Sequence, residues 1–148
     1  MKKVELQVAA IQNGTVIDHI PSDKIFQIIN LLNLHDVHSP VTIGLNLKSE
    51  AMGTKGIVKI ADKYFTDAEL QQLAVVCQHL TLCVIRDYEI VEKKGIELPR
   101  ELVGIVRCSN PKCITNNEPM RTRFRVLGSQ LKCHYCNNEV DLDEVKLL

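Results

Sequence analysis

The chain has 148 residues, 45% hydrophobic and 24% charged, with 18 basic side chains balancing 18 acidic ones. That composition fits one globular domain or two small ones, and neither part has the basic bias that points to nucleic acid, since residues 1–100 carry about −1 and the remainder about +1. No apolar run approaches the ~18 residues of a membrane span, and in the opening stretch MKKVELQVAAIQNG the residues Glu5, Gln7 and Gln12 interrupt what a secretory signal would keep apolar. A cytoplasmic setting is expected, and its reducing chemistry disfavours a disulfide framework.

The first element expected is a strand in VELQVAAI, where Val4, Leu6, Val8 and Ala10 alternate with Glu5 and Gln7. NGTVIDHIP reads as a turn with a short extended piece. Ser22 is placed to cap a helix over DKIFQIINLL, with Ile25, Ile28, Ile29 and Leu32 on one face. VTIGLNL alternates Val41, Ile43, Leu45 and Leu47 as a second strand, KSEAMGTKG is a loop, and GIVKIAD is a third strand. Thr66 and Glu69 have the spacing of a capping box. They open a helix that carries Leu70, Leu73, Ala74, Cys77 and Leu80 at helical spacing. TLCVIRDYEIV is the fourth strand.

The order β-α-β-β-α-β is the split-βαβ, ferredoxin-like pattern, an antiparallel sheet with two helices on one face. The other face then needs solvent, a ligand or a partner. Cys77 and Cys83 read as small buried hydrophobes. EKKGIELPREL, polar and holding Gly95 and Pro99, reads as the joint to a second unit. The fold class expected is α+β: a ferredoxin-like sandwich domain over residues 1–97, followed by a small, mostly-β four-cysteine domain over residues 98–148.

Four cysteines define that second unit. Cys108 and Cys113 form a C-x4-C pair, Cys133 and Cys136 a C-x2-C pair, and nineteen residues separate the pairs. Zinc takes four ligands in a tetrahedron, and structural sites are commonly built from two short-spaced cysteine pairs, because one tight turn can aim two sulfurs at the same ion. Asn110 and Pro111 suit the first turn, and Asn137 and Asn138 follow the second. One structural Zn²⁺ per chain is expected. Two disulfides, or a lone redox C-x-x-C lacking its usual βαβ context, are the alternatives. Four thiolates leave no open position for a substrate, so such an ion folds the segment and does not catalyse; ~45 residues are too few to hold a core unaided. Arg107, Lys112 and Lys132 sit beside ligands, either softening the charge of the thiolates or simply solvated.

Catalytic signatures are missing: no G-x-S-x-G, no phosphate-binding glycine loop, no H-E-x-x-H. Asp18-His19 lacks a recognisable nucleophile and reads as a hydrogen-bonding pair. RTRFRV places Arg121, Arg123 and Arg125 on one face of a strand. Such a strand can contact nucleic acid, but the balanced charge favours a solvated or protein-facing surface.

Several stretches together resemble the regulatory chain of aspartate carbamoyltransferase: GTVIDHIP, TIGLNL followed by MG and Lys55, DYEIV followed by Lys93, LP, and the pattern of cysteines around EP and LKC-YC. The resemblance runs from about residue 4 to residue 145. It implies a non-catalytic subunit in pyrimidine biosynthesis whose N-terminal domain binds CTP, UTP and ATP and whose zinc domain docks on catalytic chains. It also implies regulatory homodimers that tie two catalytic trimers into a dodecamer with three regulatory dimers. Position by position, it implies that Val8, Ala10 and Ile11 meet base and ribose, that Asp18 contacts ribose and that His19 contacts phosphate. Lys59 would lie near ribose and phosphates, Tyr88 and Ile90 beside base and phosphates, and Lys93 on a phosphate. Lys55 matches a lysine used for a second nucleotide, and Asn110, Lys112 and Glu118 match the stretch that meets the catalytic chain. Ala9, Ala51 and Cys83 depart from the family pattern, standing where an acidic residue, a carboxylate and an asparagine are common.

Overall fold

The computed structural model describes residues 10–148. Most of the expected strand in VELQVAAI, including Val8, lies outside the described residues. Among those described, the first strand is β1 (Gly14–Ile20), followed by α1 (Ile25–Leu31), a single 3-10 turn (Leu34–Asp36), β2 (Val41–Ser49), β3 (Gly53–Ala61), α2 (Asp67–Val76), β4 (Thr81–Arg86) and β5 (Glu89–Gly95). These strands form one antiparallel sheet in the order β2-β3-β1-β4-β5. The loop expected in KSEAMGTKG shrinks to the turn between Ser49 and Gly53; the β-α-β-β-α-β order is otherwise that expected, with two further corrections to how the sequence divides.

The first concerns GTVIDHI, which is no short extended piece but a seven-residue strand at the centre of the sheet. Its β-branched content suits a strand paired on both sides, and Gly14, at φ +141, lies so close to β3 that a Cβ there would sit 2.2 Å from the Ile60 carbonyl oxygen. The second concerns TLCVIRDYEIV, which is two strands. The chain reverses at Asp87 and Tyr88, both in the left-handed region with φ 51° and 66°, as a type I′ hairpin requires. The reversal adds β5 as an edge strand and takes the first half of the expected joint, Glu92–Gly95, into the sheet.

One sheet face packs on α1 and α2. Ile17, Ile20, Val58, Ile60 and Leu82 meet Ile25, Ile28, Leu73 and Ala74 there in a single apolar cluster. The Thr66–Glu69 capping box is formed: Thr66 Oγ1 accepts from the Glu69 N–H at 3.2 Å and Glu69 Oε1 accepts from the Thr66 N–H at 3.1 Å. Ser22 does not cap α1. The helix starts later, after Lys24, with no side-chain cap, and the Ser22 hydroxyl is buried without a hydrogen-bond partner. The second helix ends at Val76, so Leu80 reaches the core from the segment leading into β4.

The remaining strands are short. β8 (Arg123–Leu127) and β9 (Gln130–Cys133) form a hairpin flanked by β6 (Glu101–Val103) and β10 (Glu139–Asp141), and β7 (Val106–Arg107) pairs with β11 (Lys146–Leu147). The four-residue helix α3 (Ile114–Asn117) follows Cys113 directly. Phe124, Leu102 and Leu131, all fully buried, centre a second apolar cluster that includes Cys108, Cys113 and Cys133. That cluster also contains Val75 of α2, and Leu98 packs against both clusters. The two parts of the chain therefore share an apolar contact through α2 as well as the covalent joint. Arg121, Arg123 and Arg125 face outward while Thr122 and Phe124 face inward, as the alternation predicts, and Arg123 pairs with Glu101 at 3.4 Å.

Candidate functional site

The sheet face away from the helices carries a small apolar floor of Val16, Ile57, Cys83 and Ile85, with Ile11 and Leu47 against it. Above it lies a cleft of about 390 Å³. Strand alternation builds its walls: on β3, Lys55, Ile57 and Lys59 share the face that Gly56, Val58 and Ile60 turn away from. Of the residues expected to bind nucleotide, Ala10, Ile11, Asp18, Lys55, Lys59, Tyr88 and Ile90 all line this cleft.

Two others stand apart from the lining. Lys93 is opposite Cys83, which is opposite Val16, which is opposite Lys59, so these residues form one row across β5, β4, β1 and β3. Paired residues in a ladder point to the same face, which puts Lys93 on the cleft side at its exposed edge. His19 sits where β1 loses register with β3 and has φ 59°. Its backbone N–H donates to Asp18 Oδ1 at 2.6 Å, and its Nδ1 lies 3.0 Å from the Thr81 hydroxyl. The bulge aims the Asp18 carboxylate at the cleft and ties His19 to β4.

The charges are unequal. Lys55 Nζ lies 2.9 Å from Asp18 Oδ1 and 3.1 Å from Oδ2, with both side chains about four-fifths buried. Burial pushes the Lys59 ammonium below its ordinary range, and Asp18 partly offsets this. Burial pushes the Cys83 thiol up, against the pull of Lys93 and Lys55. Cys83 is buried, as expected of a small hydrophobe, but it also forms part of the cleft floor. An apolar floor under several lysines and one carboxylate suits a ligand with a flat apolar body and an anionic end. Sequence reasoning missed Val16, Leu47, Lys48, Ile57 and Ile85. The alternation of β3 carries the signal for Ile57, whereas the others need the strand order.

The second site is the cysteine cluster. The four Sγ atoms of Cys108, Cys113, Cys133 and Cys136 lie within 4.8 Å of one another, with Cys108 to Cys136 at 3.5 Å and Cys113 to Cys133 at 3.7 Å. All are free thiols, which removes the disulfide alternative. Sulfurs ~2.3 Å from a tetrahedral ion stand about 3.8 Å apart, so the donor set fits a thiolate-bound metal. The loops are braced for it. Asn116 Nδ2 donates to the carbonyls of Cys108 (2.9 Å) and Asn110 (2.8 Å), and Asn117 Nδ2 donates to those of Pro111 (3.1 Å) and Cys113 (2.8 Å). Asn138 Nδ2 donates to Ser109 Oγ at 2.7 Å, joining one cysteine loop to the other. Burial pushes Cys113 up, but hydrogen bonds from the Thr115 hydroxyl and N–H and from Cys133 and Cys136 outweigh it and bring the thiol down to about 7. Burial keeps Cys108 and Cys133 above the ordinary thiol range.

The expected interface residues lie around this cluster. Asn110 Oδ1 accepts from the Lys112 N–H at 3.0 Å, while Lys112 and Glu118 are exposed at either end of the turn that carries Cys113 and α3. Among the described residues, no helix is long and apolar enough to cross a membrane.

Comparison with known proteins places the chain in one family along nearly its whole length. Residues 6–97 match the family model of the aspartate carbamoyltransferase regulatory chain, allosteric domain, and residues 100–146 that of the same chain's metal binding domain. The chain is 56% identical to the aspartate carbamoyltransferase regulatory chain of Phocaeicola vulgatus, covering 99% of this chain and 96% of that one. It is 52% identical to that of Porphyromonas gingivalis over the full length of both. The regulatory chain of the distant Methanothermobacter thermautotrophicus is 41% identical over 98% of this chain and 96% of its own. The chain belongs to the family of aspartate carbamoyltransferase regulatory chains, non-catalytic subunits with an allosteric and a metal-binding part.

Proposed function

We propose that this chain senses nucleotides in the cleft over β1, β3, β4 and β5 and passes their occupancy to catalytic chains of aspartate carbamoyltransferase, setting pyrimidine synthesis in the cytoplasm. The observation that carries the reading is the packing of Val75, on the helix layer beneath the cleft sheet, into the same apolar cluster as three of the metal ligands. Allostery needs two sites and a coupling between them; α2 is a rigid element in contact with both parts.

The division is into an effector domain, residues 1–97, and a metal domain, residues 98–148. CTP, UTP or ATP lies on the apolar floor with Ala10, Ile11, Tyr88 and Ile90 near its base. Asp18 holds ribose, and Lys59, Lys93 and His19 hold phosphates. One Zn²⁺ fills the cysteine tetrahedron and shapes the loop of Asn110, Lys112 and Glu118 as the surface that meets the catalytic chain. Among the described residues β2 is an edge strand that leaves Ile43 and Leu45 exposed, and such an apolar edge is a surface for a second regulatory chain. Such dimers would tie two catalytic trimers into a dodecamer.

The test is assembly. The chain is mixed with its catalytic trimer, with and without zinc, and sized; activity is then followed with CTP or ATP added. A large zinc-dependent complex whose aspartate response shifts with nucleotide supports both parts. A complex that ignores nucleotides sinks the sensing half, and no complex with zinc loaded sinks the docking half.

A further inference from the structure

On the nucleotide reading proposed above, we infer that Asn13 is a positioning residue for the base: its side chain docks the β4–β5 turn against the segment that enters β1 and so fixes the apolar end of the cleft. Asp87 and Tyr88 in that turn are both left-handed, with φ 51° and 66°. A residue as bulky as tyrosine adopts that conformation only where its surroundings hold it there. Arg86 pairs with Glu89 across the turn. A two-residue loop of this kind leaves the N–H groups of Asp87 and Tyr88 outside the ladder, and such groups need partners from elsewhere.

Both partners come from one place. Asn13 Oδ1 accepts from the Asp87 N–H at 3.2 Å, and the Gln12 carbonyl accepts from the Tyr88 N–H at 2.9 Å. The Asn13 carbonyl in turn accepts from the Asp62 N–H at 2.9 Å, just past the end of β3. Asn13 is thus fixed to β3 on one side and holds the turn on the other. The residues flanking this junction line the cleft: Ala10 and Ile11 just before it, Tyr88 and Ile90 on the hairpin. The ladder keeps this end apart from the cations. Gly14, next to Asn13, shares a row with Ile85 and Ile90, whereas Val16, two residues along β1, shares its row with Lys59, Cys83 and Lys93. Asn13 therefore sets where a base rests and leaves Lys59 and Lys93 where they are.

The experiment uses the full-length, zinc-loaded chain and calorimetric titration with cytidine triphosphate and adenosine triphosphate, each at two salt concentrations. The unsubstituted chain is compared with Asn13→Ala and Asn13→Asp, and amide exchange is followed in all three. Asn13→Ala should weaken both nucleotides about fivefold, the scale of one hydrogen bond. The loss should be the same at both salt concentrations, because the phosphate contacts that salt screens are unchanged. Exchange at Asp87 should quicken while β1, β3 and β4 keep their protection. Asn13→Asp keeps the acceptor oxygen, so it should bind within about twofold of the unsubstituted chain; it decides the question should the alanine variant fold poorly. Undiminished affinity in Asn13→Ala, a loss that varies with salt, exchange that quickens throughout the sheet, or Asn13→Asp binding as weakly as Asn13→Ala each overturns the assignment while leaving the nucleotide reading intact. Failure of the unsubstituted chain to bind either nucleotide sinks the nucleotide reading and this inference with it.

Discussion

Among the described residues, the five-stranded sheet and the cysteine unit each enclose an apolar cluster, of thirteen and ten buried residues. In the first, every member comes from the sheet, its helices and the loops that join them, except Ile96, which follows β5 at the start of the joint. In the second, three members are cysteines of the metal cluster and a fourth, Val75, comes from α2 of the other part. Six residues remain that the unit itself supplies for hydrophobic burial alone. Its strands run from two to five residues, against nine for β2 and β3. A core of that size does not offset the conformational entropy of ~45 ordered residues, so metal ligation and the contact with α2 complete it.

That contrast can be broken most severely at the metal. Cys133→Ser, or exhaustive chelation, should unfold residues beyond about 100 while the five-stranded sheet persists; amide exchange and metal content measured together check this. Loss of protection in both parts at once would show that the sheet also depends on the metal. Because thiolates, not thiols, bind the ion, metal release to a chelator should accelerate as pH falls, as metal loading displaces protons. A release rate independent of pH between about 5 and 8 would contradict thiolate ligation.

A milder break lies at the shared contact. Val75→Ala should cost about 1–3 kcal/mol in thermal or denaturant unfolding, and Val75→Asp more, since it buries a charge beside the metal unit. The specific expectation is a weaker nucleotide response of the assembled enzyme at unchanged nucleotide affinity. An unchanged response in a folded Val75 variant would move the coupling to the covalent joint at Gly95–Leu102.

Within the cleft, Lys59→Met should weaken triphosphate binding about tenfold with little effect on metal content, as followed by calorimetry. The smallest effect is expected at the capping box. Thr66→Ala removes the acceptor for the Glu69 N–H and should cost about 1 kcal/mol, measured by denaturant unfolding, with metal retention unchanged.

Much of this was legible from spacing alone. The two cysteine pairs, the Thr66–Glu69 box, the strands in VTIGLNL and GIVKIAD, and the inward Phe124 between outward arginines are local patterns, each set by the geometry of one turn or one strand; the single apolar face expected of VTIGLNL fails, because a bulge between Gly44 and Leu47 leaves Ile43 and Leu45 exposed and sends Val41 and Leu47 to opposite faces. The same holds for the β-α-β-β-α-β order, since periodicity survives within each segment. The positions read wrongly depended on what lies elsewhere in the chain. GTVIDHI is a full strand because β3 and β4 pair with it on both sides, and a polar Asp18-His19 step looks like a turn until the bulge and the Lys55 partner are seen. Ser22 has the right chemistry for a cap but lies too far before the helix start at Ile25. Lys93 belongs with Lys59 only through the pairing of four strands, and Val75 belongs to the metal unit only through the packing of α2. Local chemistry selects elements and metal ligands because their partners lie within a few residues. A cleft and a contact between two units are made of partners tens of residues apart, which only the tertiary structure brings together.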